Sequence, residues 1–147
     1  MTRCVIDASV AVKWVFSESG SETAIHLKDT YTFHAPELIF PEVANVIRKK
    51  IRRGETLPVA GRLAIRGLMQ AGIELHGMRA LADMALEIAE ALDHSAYDCF
   101  YLALAEELAV PFITADDRIK RKLEQSASVD TFNLEIVTLS ELGTPGP

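Results

Sequence analysis

The segment Arg3-Cys4-Val5-Ile6-Asp7-Ala8-Ser9 decides the fold, because a buried strand ends and a helix begins within it. Cys4 to Ile6 are apolar and either small or β-branched, as in a strand buried inside a parallel sheet. An amphipathic helix is predicted to begin immediately afterwards, at Ala8. Asp7 therefore lies at the carboxyl end of a buried strand and faces a helix N-terminus, where open α/β sheets bind ligands.

Short apolar strands and longer amphipathic helices alternate along the rest of the chain. This alternation predicts right-handed βαβ crossovers and a three-layer α/β/α domain around a parallel sheet of four to five strands. A single domain is expected over residues 1–142, followed by a flexible tail at 143–147. The further strands are predicted at Phe33–Ala35, Ile73–Leu75, Val110–Thr114 and Glu135–Leu139. The helices are predicted at Ala8–Phe16, Ser21–Thr30, Pro41–Gly54 (with Pro41 as its first residue), Leu57–Ala71, Leu81–Leu92, Ala96–Leu108 and from Asp117 to Glu124.

The composition is that of an ordinary globular protein. The 147 residues are 49% hydrophobic and 24% charged, enough for one domain with its own core. Because no stretch has the roughly 18 consecutive apolar residues that a span needs, no membrane segment is predicted. The two cysteines, Cys4 and Cys99, lie in apolar segments and are interpreted as small core residues in a reducing compartment. A cytoplasmic location is therefore expected.

Charge is unevenly distributed. The net charge of −6 argues against a general nucleic-acid coat, which would need a basic surface. Basic residues are nevertheless concentrated in two runs, at residues 48–53 and 118–122. Each run fits a solvated helix end that complements the helix dipole, and each could also guide a phosphate backbone towards an acidic site.

Four acids stand out by their positions: Asp7, Glu42, Asp98 and Asp116. Each has a structural alternative, because Asp7 and Asp116 could cap helices, Glu42 could favour a helix dipole, and Ser95–Asp98 and Thr114–Asp117 fit capping boxes. Asp98 fits this alternative least well. It is the only charged residue between Ala96 and Ala105, so we expect its carboxylate to be paired, protonated or bound to metal.

The four acids are expected to converge, because strand ends and the following helix N-termini share one edge of a parallel sheet. Carboxylates about 5 Å apart repel by roughly 3 kcal/mol per pair at an effective dielectric near 20. They stay ionised together only around a cation, and an all-oxygen site selects Mg²⁺ or Mn²⁺. The chemistry that fits is metal-assisted phosphodiester hydrolysis.

Four sequence motifs carry a family resemblance. They resemble those of PIN-domain ribonucleases, and most closely the VapC-type toxins of bacterial toxin–antitoxin pairs. The resemblance extends from Val5 to about Leu139, with the motifs in the family's order and spacing. The motifs are Val5-Ile6-Asp7-Ala8-Ser9, Ala35-Pro36-Glu37-Leu38 with Glu42 and Asn45, Ala96-Tyr97-Asp98 with Tyr101-Leu102-Ala103, and Thr114-Ala115-Asp116-Asp117.

The resemblance implies a fold, an activity and partners. It implies an α/β/α domain, Mg²⁺- or Mn²⁺-dependent RNA cleavage, a homodimer and inhibition by a cognate antitoxin. Carried onto this sequence, it implies catalytic and metal-binding roles for Asp7, Glu42, Asp98 and Asp116. The supporting residues would be Ser9 and Thr114 as orienting hydroxyls, Asn45 beside Glu42, and Asp117 as a peripheral acid.

Other readings remain open from the residues alone. A receiver-like phosphoacceptor would need a lysine after the last strand, where Val137-Thr138-Leu139 stands, and an aspartyl-nucleophile hydrolase would need an acid where Ser9 stands. A non-catalytic α/β binding module is also possible.

The histidines and the apolar helix surfaces also give expectations. His26, His34, His76 and His94 are interpreted as scattered residues without a metal or catalytic role. The apolar helix Leu57–Ala71, together with the first helix, is expected to form the dimer or antitoxin surface.

Overall fold

The computed structural model describes residues 1–143, except for the side chains of Ser128 and Val129. Its core is one five-stranded sheet in which every neighbouring pair of strands is parallel. The strand order is β3-β2-β1-β4-β5, so the strand that opens the chain lies at the centre. The strands are β1 (Thr2–Ile6), β2 (Tyr31–Pro36), β3 (Ile73–His76), β4 (Phe112–Thr114) and β5 (Ile136–Thr138).

Eight α-helices accompany the sheet in the part of the chain that is described. Three short 3₁₀ segments join them, at Leu27–Asp29, Arg79–Leu81 and Ala127–Thr131. The helices are α1 (Ala8–Val15), α2 (Ser21–His26), α3 (Ile39–Arg52), α4 (Pro58–Met69), α5 (Ala82–Leu92), α6 (Ala96–Leu108), α7 (Asp117–Gln125) and α8 (Leu139–Leu142). None of these helices has the length and apolar character that a membrane crossing requires.

Two helical layers cover the sheet. Helices α1 to α4 contact one another on one face, where Trp14 packs edge-on against Phe33 with the ring centroids 4.8 Å apart. Helices α5 and α6 pack together on the other face, where Tyr101 stacks on Phe112. Because successive strand residues point to opposite faces, the buried strand residues supply both interfaces. The predicted α/β/α class with its parallel sheet is confirmed.

Several predicted boundaries need correction. Helix α3 begins at Ile39, so Pro41 is its third residue rather than its first. Proline is tolerated there because the first intrahelical bond is donated by Glu42 N–H to the carbonyl of Leu38, and earlier N–H groups have no partner within the helix. The predicted helix Ser21–Thr30 divides into α2 and a 3₁₀ turn. Of the predicted tail, only Gly143 falls within the described residues.

The last strand was predicted to reach Leu139 but ends at Thr138. Thr138 and Glu141 form a capping box, which starts helix α8 at Leu139. The polar connection predicted between Gln125 and Asn133 contains the 3₁₀ turn Ala127–Thr131.

Gly61 provides a test of how α4 is held against α3. A Cβ at Gly61 would lie 2.8 Å from Cγ2 of Ile47 and 3.1 Å from Cδ1 of Ile51, whereas one at Gly67 would meet only Val15, at 4.0 Å. Ile47 cannot move its branched Cγ2 away without leaving its helical rotamer. We expect Gly61→Ala to lower the free energy of unfolding by about 1 kcal/mol, and Gly67→Ala to raise it by about 0.5–1 kcal/mol. Urea denaturation measures both, and equal effects of the two variants would contradict the close contact.

Candidate active site

Asp7 is fixed at the carboxyl end of β1 by hydroxyl groups from two chain segments. The Ser9 hydroxyl donates to Oδ1 of Asp7 at 2.5 Å, and the Thr114 hydroxyl donates to Oδ2 at 2.7 Å. Thr114 reaches Asp7 because β1 and β4 are neighbours, with Ile6 opposite Ile113. Neither hydroxyl carries charge, so Asp7 is oriented without being neutralised.

The hydroxyls of Ser9 and Thr114 are themselves held by backbone donors. Ala115 N–H donates to Ser9 Oγ at 2.9 Å, and Asp116 N–H donates to Thr114 Oγ1 at 3.1 Å. The turn after β4 is thereby tied to the turn after β1. Burial is the main cause that raises the pKa of Asp7 to about 6, against the lowering effect of the two hydroxyls.

Asp98 and Asp116 lie beside Asp7. The three aspartates line one small cavity of about 20 Å³ together with Phe112, Thr114 and Ile119, which is room for about one water molecule or ion. Asp98 comes from the first turn of α6 and Asp116 precedes α7. Both helices begin at the carboxyl edge of the sheet, as the sequence predicts.

Glu42 approaches the same site from α3. The Tyr101 hydroxyl donates to Oε1 of Glu42 at 2.6 Å, which links α3 to α6. Burial raises the pKa of Glu42, and the charges of Asp98 and Asp7 raise it further. Glu42 is therefore close enough to feel both aspartates, although it does not line the cavity that they share with Asp116.

Asp98 and Asp116 each have a positively charged or potentially charged neighbour. Nε2 of His94 lies 2.6 Å from Oδ2 of Asp98. The Arg118 side chain donates to both carboxylate oxygens of Asp116. Its Nε lies 3.0 Å from Oδ1, and a terminal guanidinium nitrogen lies 2.8 Å from Oδ2. This hydrogen-bonded guanidinium lowers the pKa of Asp116. The Arg118 side chain is largely exposed, so a cation could displace it from Asp116.

Asp98 and His94 form a pair. The Asp98 side chain is 43% exposed, and its pairing is one of the three states expected for it. His94, interpreted as a scattered residue, stands four residues before Asp98 and contacts it. Nδ1 of His94 is buried and has no hydrogen-bond partner within the described chain, which favours the tautomer with its proton on Nε2, facing Asp98. The spacing of four residues was the available signal.

The capping alternatives fit only Asp116. Its side chain accepts from Arg118 N–H at the start of α7. Asp7 and Ser95 occupy N-cap positions but make no capping hydrogen bond, and the predicted box from Thr114 to Asp117 is replaced by the Asp116 cap.

Two predicted supporting residues lie outside this hydrogen-bonded group. Asn45 is exposed on α3, three residues after Glu42. Asp117 accepts a hydrogen bond from Ser140 and lines a different cavity with Lys120 and Glu141. Ser9 and Thr114, by contrast, bind Asp7 directly, as expected.

The basic runs are partly neutralised. Lys50 pairs with Glu18, Lys120 pairs with Glu141, and Lys122 donates to the carbonyl of Asp93. Lys49, Arg52 and Arg53 line a common cavity at the end of α3.

The donor set fits a hard divalent cation. Asp7 and Glu42 are carboxylates whose hydrogen-bond donors are neutral hydroxyls, so their charge is not compensated by a side-chain cation. Within residues 1–143 no three of the four acids bring their oxygens within 4.8 Å of one another. Mutual repulsion between carboxylates favours this wider spacing. In the same part of the chain, the one trio of potential ligand atoms within that distance is His34, Glu74 and His76.

Comparison with known proteins identifies relatives of the chain. The PIN domain profile matches residues 4–124. Ribonuclease VapC9 of Mycobacterium tuberculosis is 30% identical over 78% of this chain and 87% of its own length. Ribonuclease VapC12 of the same species is 28% identical over 86% of this chain and 96% of its own. The crystal structure of DNA-bound VapBC from Salmonella typhimurium shares the fold, with a TM-score of 0.65 at 13% identity over 95% of this chain and 99% of that one.

The charge on Asp7 should cost stability when no cation is bound. Its pKa rises from 3.8 to about 6 on folding, so stability is lost as the pH increases through this interval. At pH 8 the cost is up to about 3 kcal/mol. In EDTA we expect Asp7→Asn to melt at a higher temperature than the wild type at pH 8, with the difference vanishing near pH 4. Asp83→Asn, on the exposed face of α5, serves as the control, and a less stable Asp7→Asn protein at pH 8 would contradict the assignment.

Proposed function

Because the chain belongs to the PIN-domain family, within its VapC ribonucleases, we propose that it is a Mg²⁺- or Mn²⁺-dependent endoribonuclease and the toxin of a toxin–antitoxin pair. The observation that carries the proposal is the cavity shared by Asp7, Asp98 and Asp116, with Asp7 held by neutral donors that include the hydroxyls of Ser9 and Thr114. A group of carboxylates at the carboxyl edge of a parallel sheet is suited to divalent-metal chemistry on a phosphate.

Asp7, Glu42, Asp98 and Asp116 would hold the metal. When bound, the ion would generate hydroxide from water and neutralise charge on the phosphate and the leaving oxygen. Ser9 and Thr114 would orient Asp7, while Tyr101 orients Glu42 and His94 orients Asp98. Such hydrogen bonds to ligands fix the direction of their lone pairs.

Arg118 would act as a displaceable partner of Asp116. Its guanidinium donates to both oxygens of this carboxylate. A divalent ion would compete for the same oxygens and release an exposed guanidinium at the edge of the site, where it can contact an RNA phosphate in the bidentate manner typical of arginine. A protein with a net charge of −6 thereby gains a local positive group at the point of cleavage.

We further propose RNA as substrate, a cognate antitoxin as inhibitor and a homodimer as the functional unit. Support for the antitoxin comes from the VapBC structure from Salmonella typhimurium, whose fold this chain shares. A cytoplasmic location stays a prediction from the sequence.

The apolar surface for association is on α4 rather than α1. Leu57, Val59, Leu63 and Met69 are exposed large hydrophobic residues on or beside α4. Helix α1 is engaged with the core of its own chain, since Val10, Ala11 and Val12 are buried. We therefore place the proposed dimer surface on α4 and omit the first helix from it.

Asp98→Asn tests the nuclease. Asparagine is nearly isosteric and removes one charge from the site. Loss of a direct ligand should reduce the rate of cleavage at least about a hundredfold, since even partners of ligands are worth 10–100-fold. Purified protein is incubated with total cellular RNA in Mg²⁺, Mn²⁺ or EDTA, and fragments are resolved by electrophoresis. Asp83→Asn is the control that should cleave as the wild type does.

Two results of this experiment would contradict the proposal, and each would have a different meaning. Equal cleavage by wild type and Asp98→Asn would assign the activity to a contaminant and reject the catalytic role. Absence of cleavage by the wild type, with antitoxin removed by denaturation and refolding, would reject the nuclease for the RNAs supplied.

Leu63→Glu tests the dimer surface. We expect the wild type to have the mass of a dimer by light scattering, and Leu63→Glu to have that of a monomer, because a carboxylate cannot be buried there without a partner. Leu86→Glu is the control, since Leu86 is a similarly exposed leucine on α5. A dimer that survives Leu63→Glu would place the contact elsewhere.

A further inference from the structure

Two histidines and a glutamate meet where β2 pairs with the edge strand β3, and the proposed nuclease leaves them without a role. His34 lies opposite Glu74 in the parallel register, and Pro36 lies opposite His76. Because residues two apart on a strand point to the same face, all three side chains lie on one face of this strand pair. The trio joins residues 34 and 76, which are far apart in sequence.

The three ligand atoms are close enough together to bind one metal ion. Nδ1 of His34 is 2.9 Å from Nε2 of His76 and 3.5 Å from Oε2 of Glu74, and all three atoms lie within 4.8 Å of one another. Two ligands of a tetrahedral Zn²⁺ ion, each bound at about 2.0–2.1 Å, are about 3.3 Å apart, so the two ring nitrogens would move apart by about 0.4 Å on binding. Glu74 is 69% exposed, so its flexible side chain can close the remaining distance.

We propose that His34, Glu74 and His76 form a Zn²⁺ site that fastens β3 to β2, with water as the fourth ligand. Two imidazole nitrogens and one carboxylate oxygen make a donor set for a borderline transition metal, unlike the all-oxygen set of the nuclease site.

A hydrogen bond between the two rings is the competing explanation. It accounts for the distance of 2.9 Å, with one ring nitrogen donating to the other. It does not involve Glu74, which the register places opposite His34 and which brings a third donor to the same His34 nitrogen. Burial lowers the pKa of His34, which favours the neutral ring that metal ligation requires. Nearby Arg3 opposes a cation, and the charge of Glu74 compensates for it.

An ion bound by this trio would affect the stability of the sheet edge. Strand β3 is a four-residue edge strand with mostly exposed or half-buried side chains. The backbone carbonyl of its last residue, His76, also accepts a hydrogen bond from Glu37 N–H at 3.0 Å, just before α3 begins. An ion at this position would therefore stabilise the sheet edge and the turn that leads to Glu42.

Zn²⁺ titration of the full-length protein tests the proposal. Metal is removed with EDTA and dialysed away, and Zn²⁺ affinity is then measured by competition with a chromophoric zinc indicator, with melting temperature as a second readout. Glu74→Gln is the primary variant, because an exposed side chain can be changed without endangering the fold, and His76→Gln is the second. His26→Gln, an exposed histidine at the end of α2, is the control.

The expected result is one tight Zn²⁺ site in the wild type and in His26→Gln, with a rise in melting temperature on binding. Affinity should fall at least about tenfold in Glu74→Gln and more in His76→Gln. Asp7→Asn should retain the tight site, which separates it from the acidic cavity. The proposal is overturned by a wild type that binds no Zn²⁺ tightly, by unchanged affinity in His76→Gln, or by loss of the tight site in Asp7→Asn.

Discussion

The carboxylate of Asp7 is held in place by neutral donors, and the rest of the site is arranged around that constraint. Ser9 comes from the same turn and Thr114 from the neighbouring strand, so the side chain is fixed only if β1 and β4 pair in register. Arginine or lysine in place of either hydroxyl would satisfy the carboxylate fully and leave it without further function. Hydroxyl groups provide orientation and leave the negative charge for a cation.

The central position of β1 makes this arrangement possible. With β2 on one side and β4 on the other, the helices that follow these strands begin at the edge where Asp7 lies. Helix α6, which lies on the other face of the sheet from α3, supplies both Asp98 and Tyr101. The Tyr101 hydroxyl reaches Glu42 on α3. All four acids are half-buried, but Asp7 and Glu42 have neutral partners, whereas Asp98 and Asp116 have ionisable ones. Exposed pairs are weakly bound and can therefore be exchanged for a metal.

The sequence predicted features that depend on local periodicity, including the strands, most helices and the four acids at strand and helix ends. It did not predict contacts that depend on register or helix phase. His94 precedes the first helical residue, Ala96, so the four-residue spacing to Asp98 did not indicate a shared helix face. The approach of His76 to His34 requires the register of β2 and β3, which no single strand encodes. Pro41 misled because the early N–H groups of a helix have no intrahelical partner, so proline can stand at the third position as well as the first.

The acidic site and the trio of His34, Glu74 and His76 differ in the softness of their donor atoms. Because of this difference, each site should select a different ion. At the carboxyl edge the four acids offer oxygen donors, and within residues 1–143 no three of them bring their oxygens within 4.8 Å of one another. Such a set fits an ion that retains several waters and takes further oxygens from a phosphate. Between β2 and β3, two of the three donors are imidazole nitrogens, which lie 2.9 Å apart. Nitrogen ligation favours Zn²⁺ over Mg²⁺ by ligand type. The sheet would thus carry an exchangeable ion at its carboxyl edge and a fixed ion at the edge strand β3.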